Sequence, residues 1–205
     1  MRDQVTSGPT SSFLKARDLS LAGLLGALGL VLPMLFHMVG LGGVFLPMFI
    51  PILMAGLLIS PWMAALLGIV VPLLSALLTG MPPLVPPTAI LMAIELPVMA
   101  MVAHLLYRHW RLHVVVAVVG ALVAGKLMTG VAIVTIAPLF GLQRAVIPYL
   151  VVTTVASLPG IILNIVVVPL AVKAIERVTL VPPRGPSGPP TPRSSLPSNQ
   201  ENATP

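Results

Sequence analysis

The sequence contains no cysteine and very little charge. Only 8% of its 205 residues are Asp, Glu, Lys or Arg, and only 4% are aromatic. The absence of cysteine excludes a disulfide framework, a thiolate nucleophile and a cysteine-based metal site. A soluble domain carries about 25% charged residues, so this scarcity excludes an ordinary soluble surface. Because hydrophobic residues make up 57% of the chain, the sequence predicts an all-α integral membrane protein.

The basic residues do not indicate nucleic acid as a partner. The net charge is +6, but nucleic-acid binding needs Lys and Arg clustered with aromatic residues. Here they are scattered at the ends of apolar segments, which is typical of charges that set membrane topology. His109 and His113 have a metal-chelating spacing but no carboxylate beside them, so no metal site is predicted. With no recognisable catalytic motif, neither an enzyme nor a cofactor is expected.

Prolines and glycines divide the chain into candidate spans. Residues 1–15 and the proline-rich tail 179–205 have little to bury and are expected to be disordered and cytoplasmic. Residues 16–178 are expected to form a six-helix transmembrane bundle, with helices kinked by interior prolines. The second segment is short for a full span. The expected segments are approximately 19–39, 46–60, 61–79, 88–107, 112–139 and 147–178.

Lys and Arg give this predicted bundle an orientation. With six spans and the N-terminus inside, nine basic residues fall in cytoplasmic parts and Arg144 falls in an outer loop. Positive charge concentrates on the cytoplasmic side of membrane proteins. Both termini are therefore predicted to be cytoplasmic.

Two ionisable residues, Glu95 and Lys126, fall in the middle of predicted spans. Intramembrane charges are costly and usually mark a pathway or a binding site. At 1.5 Å per residue, the two lie at similar depths below the outer surface and could pair across one cavity. They form either an ion pair that fixes helix packing or a pair that coordinates a polar substrate. A ligand carboxylate would suit Lys126 or Arg144.

Polar residues at helical spacing extend the candidate site. Thr153, Ser157, Gly160 and Asn164 share one face of the last segment, although such stripes also occur as close-packing seams. Thr129 shares a face with Lys126, and His37 lies at the outer end of the first segment. The candidate substrate-binding residues are Glu95, Lys126, Asn164, Thr129, Ser157, His37 and Arg144.

The first segment and the middle of the chain carry a family resemblance. Ala22, Gly23, Gly26 and Ala27 form two overlapping pairs of small residues, which let another helix approach closely. The stretches Leu46–Pro51 and Pro72–Pro82, followed by Glu95-Leu96, extend the pattern. Together with six spans, they make residues 19–177 similar to the substrate-binding (S) component of energy-coupling factor (ECF) transporters.

This resemblance implies a vitamin-binding subunit of a prokaryotic cell membrane, with its pocket toward the outside. It implies a partner interface at Ala22, Gly23, Gly26 and Ala27, a transmembrane coupling (T) subunit and two cytoplasmic ATPase subunits that hydrolyse ATP. The cobalt and nickel members carry an N-terminal metal-binding motif that this sequence lacks, so a metal substrate is not expected. Two alternatives stay open: a stand-alone secondary carrier, coupled to protons through Glu95, and a membrane scaffold without a ligand.

Overall fold

The described part of the chain is helical. A computed structural model describes residues 9–40, 42–83, 88–136 and 146–180, and these ranges contain no strand. The all-α class is confirmed for them. The helices are α1 (Pro9–Met38), α2 (Gly42–Phe45), α3 (Phe49–Leu58), α4 (Pro61–Thr79), α5 (Thr88–His104, continued by a π-helical turn, Leu105–His109), α6 (Val114–Ile136), α7 (Val146–Ala156) and α8 (Leu158–Leu180).

The outer bounds of this helical region differ slightly from the predicted domain limits. Helix α1 begins at Pro9, inside the segment 1–15 for which the sequence predicts disorder. Helix α8 ends at Leu180, just past the predicted limit at residue 178. The rest of the proline-rich tail lies outside the described residues.

Within the described residues, five helical stretches are long and apolar enough to cross a membrane, where the sequence predicts six. The segment 46–60 contains instead the ten-residue helix α3, about 15 Å long at 1.5 Å per residue. A span needs about 20 residues, so α3 does not cross the bilayer by itself. The orientation of the bundle stays a prediction. The five stretches are Ala16–Met38, Pro61–Thr79, Thr88–His109, Val114–Thr135 and Leu158–Arg177.

Helix α3 forms the centre of the bundle. All of its residues except Ile50 are buried, and it packs against α1, α4, α5 and α8. A helix that is apolar all round is stable only when other elements surround it. Gly56 lets α5 approach closely, because a Cβ atom there would lie 2.5 Å from the Ala100 carbonyl oxygen. The buried interior of the molecule is therefore built around a helix half as long as its neighbours.

Polar side chains at the end of α5 contact the last carbonyl oxygens of α3. Arg108 donates hydrogen bonds to the carbonyl oxygens of Leu57 and Leu58, at 3.2 and 3.1 Å. His104 Nδ1 lies 3.1 Å from the carbonyl oxygen of Gly56. The last carbonyls of a helix have no partner within the helix and need one elsewhere when buried. Arg108 and His104 supply these partners and fix α3 to α5.

Two further hydrogen bonds show which helix ends lie together near the last turn of α3. Asp18, near the start of α1, accepts a hydrogen bond from the backbone N–H of Ser60 at 3.2 Å. Tyr107 donates to Glu176, near the end of α8, at 2.8 Å. The starts of α1 and α4 therefore lie beside the ends of α3, α5 and α8. We name this the basic end, because it carries Arg17, Arg108, Arg111, Lys173 and Arg177.

The last predicted segment, 147–178, is interrupted. Helix α7 ends at Ala156 and α8 begins at Leu158, with Ser157 in a turn between them. Pro159 is the second residue of α8, where its missing N–H costs no hydrogen bond within the helix. The prediction of one continuous helix is wrong here, because proline is better tolerated in the first turn of a helix than in its interior.

Candidate functional site

A cavity of about 310 Å³ lies at the end of the bundle opposite the basic end. It is bounded by the end of α1, the residues before α3, the turn after α4, the start of α5, the middle of α6 and the α7–α8 junction. Phe49, the first residue of α3, lines it, so the short α3 leaves this space open in the bundle. Most of the lining is apolar: Pro33, Leu46, Pro47, Met48, Phe49, Pro82, Pro83, Leu91, Met92, Val152 and Ala156.

Glu95 and Lys126 form an ion pair in this cavity. Lys126 Nζ lies 2.9 Å from Glu95 Oε1, and both residues contribute to the cavity wall. Helices α5 and α6 approach closely here because Gly125 carries no side chain. A Cβ atom at Gly125 would lie 3.3 Å from Glu95 Cγ. The two intramembrane charges that the sequence singles out are therefore brought together.

The surroundings of the pair are unfavourable for charge. The Glu95 side chain is 5% exposed and that of Lys126 is 25% exposed. Oε1 of Glu95 has no aligned hydrogen bond within the described part of the chain, although the ammonium lies within ion-pair distance. Replacing a buried ion pair by apolar residues is often neutral or stabilising. The ion pair is therefore not explained by a gain in stability.

The Phe49 ring packs beside the Glu95–Lys126 ion pair. The Lys126 ammonium lies 5.3 Å from the centroid of the Phe49 ring, within the range of a cation–π interaction. Phe49 itself is only 1% exposed, so it holds the lysine from a fixed position at the start of α3. Sequence reasoning missed this residue because an aromatic side chain in an apolar segment does not stand out.

Hydroxyl groups of α6 and of the α7–α8 junction line the cavity. Thr129 Oγ1 donates a hydrogen bond to the carbonyl oxygen of Gly125 at 3.2 Å. Ser157 Oγ donates to the carbonyl oxygen of Thr154 at 3.0 Å. Thr129 is 8% exposed and Ser157 is 2% exposed. Both predicted residues therefore lie at the cavity with their hydroxyl hydrogens directed to the backbone.

His37 lies at the mouth of the cavity. Its Nδ1 lies 2.7 Å from the carbonyl oxygen of Pro33, one turn earlier in α1. The ring packs against Gly42 of α2, where any side chain would collide with the imidazole. The last turn of α1 and Gly42 thus hold the imidazole at the cavity, in the region that the sequence predicts.

Asn164 does not line the cavity. It is fully buried, Nδ2 donates to the carbonyl oxygen of Gly160 at 2.7 Å, and Oδ1 has no hydrogen-bond partner within the described residues. Gly160 packs on α2, where a Cβ atom would lie 2.7 Å from the Phe45 carbonyl oxygen. The face predicted from helical spacing therefore lines the cavity only at Thr153 and Ser157. Further along α8, at Gly160 and Asn164, the same face is packed inside the protein. Arg144 lies outside the described residues.

A family model matches most of the chain. The model of the ECF transporter substrate-specific component covers residues 17–172. The chain belongs to this family. Neither the search of curated proteins nor that of solved structures found a match. As an ECF S component, the chain is a substrate-specific subunit for membrane transport rather than an enzyme.

The small residues on the first helix of this S component divide into two faces. Ala22 is buried, and a Cβ atom on Gly26 would lie 3.1 Å from Leu67 of α4. Ala27 is exposed, and nothing lies within 4 Å of a Cβ atom on Gly23. One predicted pair therefore packs inside the chain, and the other is open to a partner helix.

Proposed function

We propose that this S component captures a vitamin-like small molecule outside the plasma membrane of a prokaryote and delivers it inward with ATPase partners. The observation that carries the proposal is the position of Glu95 and Lys126, which pair inside an otherwise mostly apolar cavity. Ligand sites commonly combine an apolar lining with a few polar groups that fix orientation. The family supplies the transport role, and the cavity supplies a place for the cargo.

The two ends of the bundle support an outward-facing cavity. Lys and Arg concentrate at the end away from the cavity, and such residues favour the cytoplasmic side of a membrane. Helix α3 begins at the cavity and ends at the basic end, where α4 begins, so the start of α1 and the end of α8 share one side. We therefore place both termini in the cytoplasm and the cavity toward the outside.

Each residue of the candidate site has a proposed role. Glu95 and Lys126 bind the polar part of the ligand, and Thr129, Ser157 and His37 bind it from the walls and the mouth. Arg144 belongs to the outer loop that the sequence predicts beside the mouth. Asn164, whose buried Oδ1 has no hydrogen-bond partner in the described part of the chain, is the innermost residue of the proposed site, and the ligand reaches it only if α8 shifts.

The binding test uses purified protein and its co-purifying ligand. Glu95→Ala and Lys126→Ala should each abolish saturable binding, measured by isothermal titration calorimetry. Thr135→Val on the far side of α6 serves as a control, because Thr135 donates to its own helix at 2.9 Å and does not line the cavity. Unchanged affinity in both alanine variants would overturn the site.

The outward face of α1 is the proposed docking surface for the T subunit. Gly23 and Ala27 lie on it, beside Leu24 and Leu28, which are 57% and 37% exposed. Gly23→Leu and Ala27→Leu should abolish ATP-dependent uptake in cells while ligand binding by the purified chain persists. Gly26→Leu is the contrasting variant, since it meets Leu67 and should disturb the chain itself. Normal uptake by both outward variants would exclude this face.

A stand-alone secondary carrier is the second candidate function, favoured by the buried carboxylate of Glu95. Such a carrier moves its substrate in proteoliposomes containing this chain alone under a proton gradient. We expect uptake only when the T subunit and both ATPases are present with ATP. A scaffold protein, in contrast, would bind no ligand in a saturable way.

A further inference from the structure

Two of the hydroxyl groups that line the cavity, those of Thr129 and Ser157, have already used their hydrogens. A hydroxyl group has one hydrogen to donate and two lone pairs to accept with. Thr129 and Ser157 both donate to backbone carbonyl oxygens, at 3.2 and 3.0 Å. Toward a ligand in the cavity these two side chains therefore act as acceptors.

His37 offers a third acceptor. Its Nδ1 faces the carbonyl oxygen of Pro33 at 2.7 Å. A carbonyl oxygen only accepts hydrogen bonds, so Nδ1 carries the hydrogen, and this contact selects the tautomer whose lone pair is on Nε2. The tautomer is thus set by α1 itself, and the nitrogen left for a ligand at the cavity mouth is a lone-pair nitrogen.

Among the described residues that line the cavity, the carboxylate of Glu95 and the ammonium of Lys126 balance each other. Glu95 contributes an acceptor and Lys126 contributes the strongest donor, and they lie 2.9 Å apart. A second anion would stand beside Glu95, and a cation would stand beside Lys126. Either would leave one charge uncompensated in an apolar site, which is costly.

We propose that the cavity selects a compact, net-neutral molecule rich in N–H donors, such as an amino- or amide-substituted ring, and rejects carboxylates. One edge of the molecule donates to Glu95 and accepts from Lys126, while its other donors meet Thr129, Ser157 and His37. Its apolar body packs on Met48 and Met92. The volume of 310 Å³ is at the small end of the range of about 300–1,000 Å³ for ligand sites. The proposal rests on the capture function proposed above and contradicts the carboxylate ligand expected from the sequence.

The test is equilibrium dialysis of the full chain in detergent. The other chamber holds an equimolar mixture of water-soluble compounds of similar size in three charge classes, with nicotinamide, nicotinate and 3-(aminomethyl)pyridine as one matched set. A small-molecule extract of cells is dialysed in parallel, and mass spectrometry measures what the protein retains. Anions are included because Arg144 supplies a further positive charge in the sequence.

The retained compounds test the proposed ligand class and the proposed capture function separately. Retention of neutral, N–H-rich compounds over matched carboxylates supports the proposal. Preferential retention of carboxylates or of cations overturns it and leaves capture of a small molecule intact. If nothing is retained from the mixture or from the extract, the proposed capture function itself is overturned.

Two threonines of α6 provide a matched test of the acceptors. Thr129 and Thr135 both donate to a carbonyl oxygen four residues earlier, at 3.2 and 2.9 Å, but only Thr129 lines the cavity. Thr129→Val keeps the shape and removes the lone pairs, so affinity for the retained compound should fall about fivefold. Thr129→Ser should restore it, and Thr135→Val should leave it unchanged. Equal affinity in Thr129→Val and the unaltered chain would overturn the acceptor role.

Discussion

The two ends of α3 meet opposite surroundings. At its last turn, Arg108 and His104 meet the carbonyl oxygens of Gly56, Leu57 and Leu58. At its first residue, Phe49, the helix meets a cavity lined partly by charged and hydroxyl side chains. The last turn of the short helix is bound by partners from the chain, and its first residue faces the proposed ligand site.

Because of this difference, substitutions at the two ends of α3 should affect different properties, stability at one end and ligand binding at the other. Polar groups at the basic end are satisfied within the protein, so removing one should cost folding free energy and spare affinity. Polar groups at the cavity are satisfied incompletely, so removing one should cost affinity and spare much of the stability. Four substitutions, each with a matched control, test this difference between the two ends.

The largest effect is expected from Glu95→Gln. It keeps the shape and removes the charge that faces both Lys126 and the ligand, so affinity should fall roughly ten- to hundredfold. The free energy of unfolding should change less than the free energy of ligand binding, because Lys126 is 25% exposed and water can still solvate its ammonium group. The control is Glu176→Gln at the basic end, whose carboxylate meets Tyr107. Calorimetric titration that finds equal affinity in the two variants would contradict the contrast.

Gly56→Ala is expected to cost the most stability. The added methyl group would lie 2.5 Å from the Ala100 carbonyl oxygen, and overpacking a tight core typically costs about 1–3 kcal/mol. Gly23→Ala is the control, because nothing lies within 4 Å of its added methyl group. Thermal unfolding in detergent should show a lower Tm for Gly56→Ala and no loss for Gly23→Ala. Equal Tm values would mean that α3 and α5 can move apart freely.

Arg108→Gln should lower stability by a smaller amount. It removes hydrogen bonds to two buried carbonyl groups, a loss of about 1–2 kcal/mol after allowing for the exposed position of the guanidinium. Ligand affinity should stay within about twofold of the original, since Arg108 does not line the cavity and distant sites act independently. Arg111→Gln is the control, an exposed arginine at the same end. A strong loss of affinity in Arg108→Gln would show that the two ends are not independent.

Ser75→Ala should have the smallest effect. Ser75 is 1% exposed, and its hydroxyl donates to the carbonyl oxygen of Met81 at 2.7 Å, which holds the turn after α4 at the cavity rim. Loss of one such bond costs about 1 kcal/mol. Ser20→Ala, with an exposed bond to its own helix, should leave Tm unchanged. A Tm for Ser75→Ala as high as that of Ser20→Ala would exclude this role.

The sequence predicts the centre of the candidate cavity well, because charge inside a membrane is rare. Glu95 and Lys126 stand out against apolar spans, and depth along two helices was enough to suggest that they pair. Phe49 could not be found in this way, since its segment is apolar throughout. The short length of segment 46–60 was visible, but its consequence, a half-length helix beneath a cavity, depends on packing with four other helices.

Helical periodicity fails where the chain bends or where two faces look alike. The spacing of Thr153, Ser157 and Asn164 predicts one continuous face, but the chain turns at Ser157, and Asn164 is buried below the cavity. The overlapping pairs Ala22/Gly26 and Gly23/Ala27 have the same spacing. Which pair packs inside was decided by Leu67 on α4, and no local pattern in α1 contains that information.

We infer that the cavity around Glu95 binds the cargo and that the basic end does not. Quantitative mass spectrometry of the small molecule that co-purifies with the unaltered chain, with Glu95→Gln and with Glu176→Gln tests it most directly. We predict that the unaltered chain and Glu176→Gln carry the same molecule in similar amounts and that Glu95→Gln carries almost none. An equal amount on Glu95→Gln would contradict the claim.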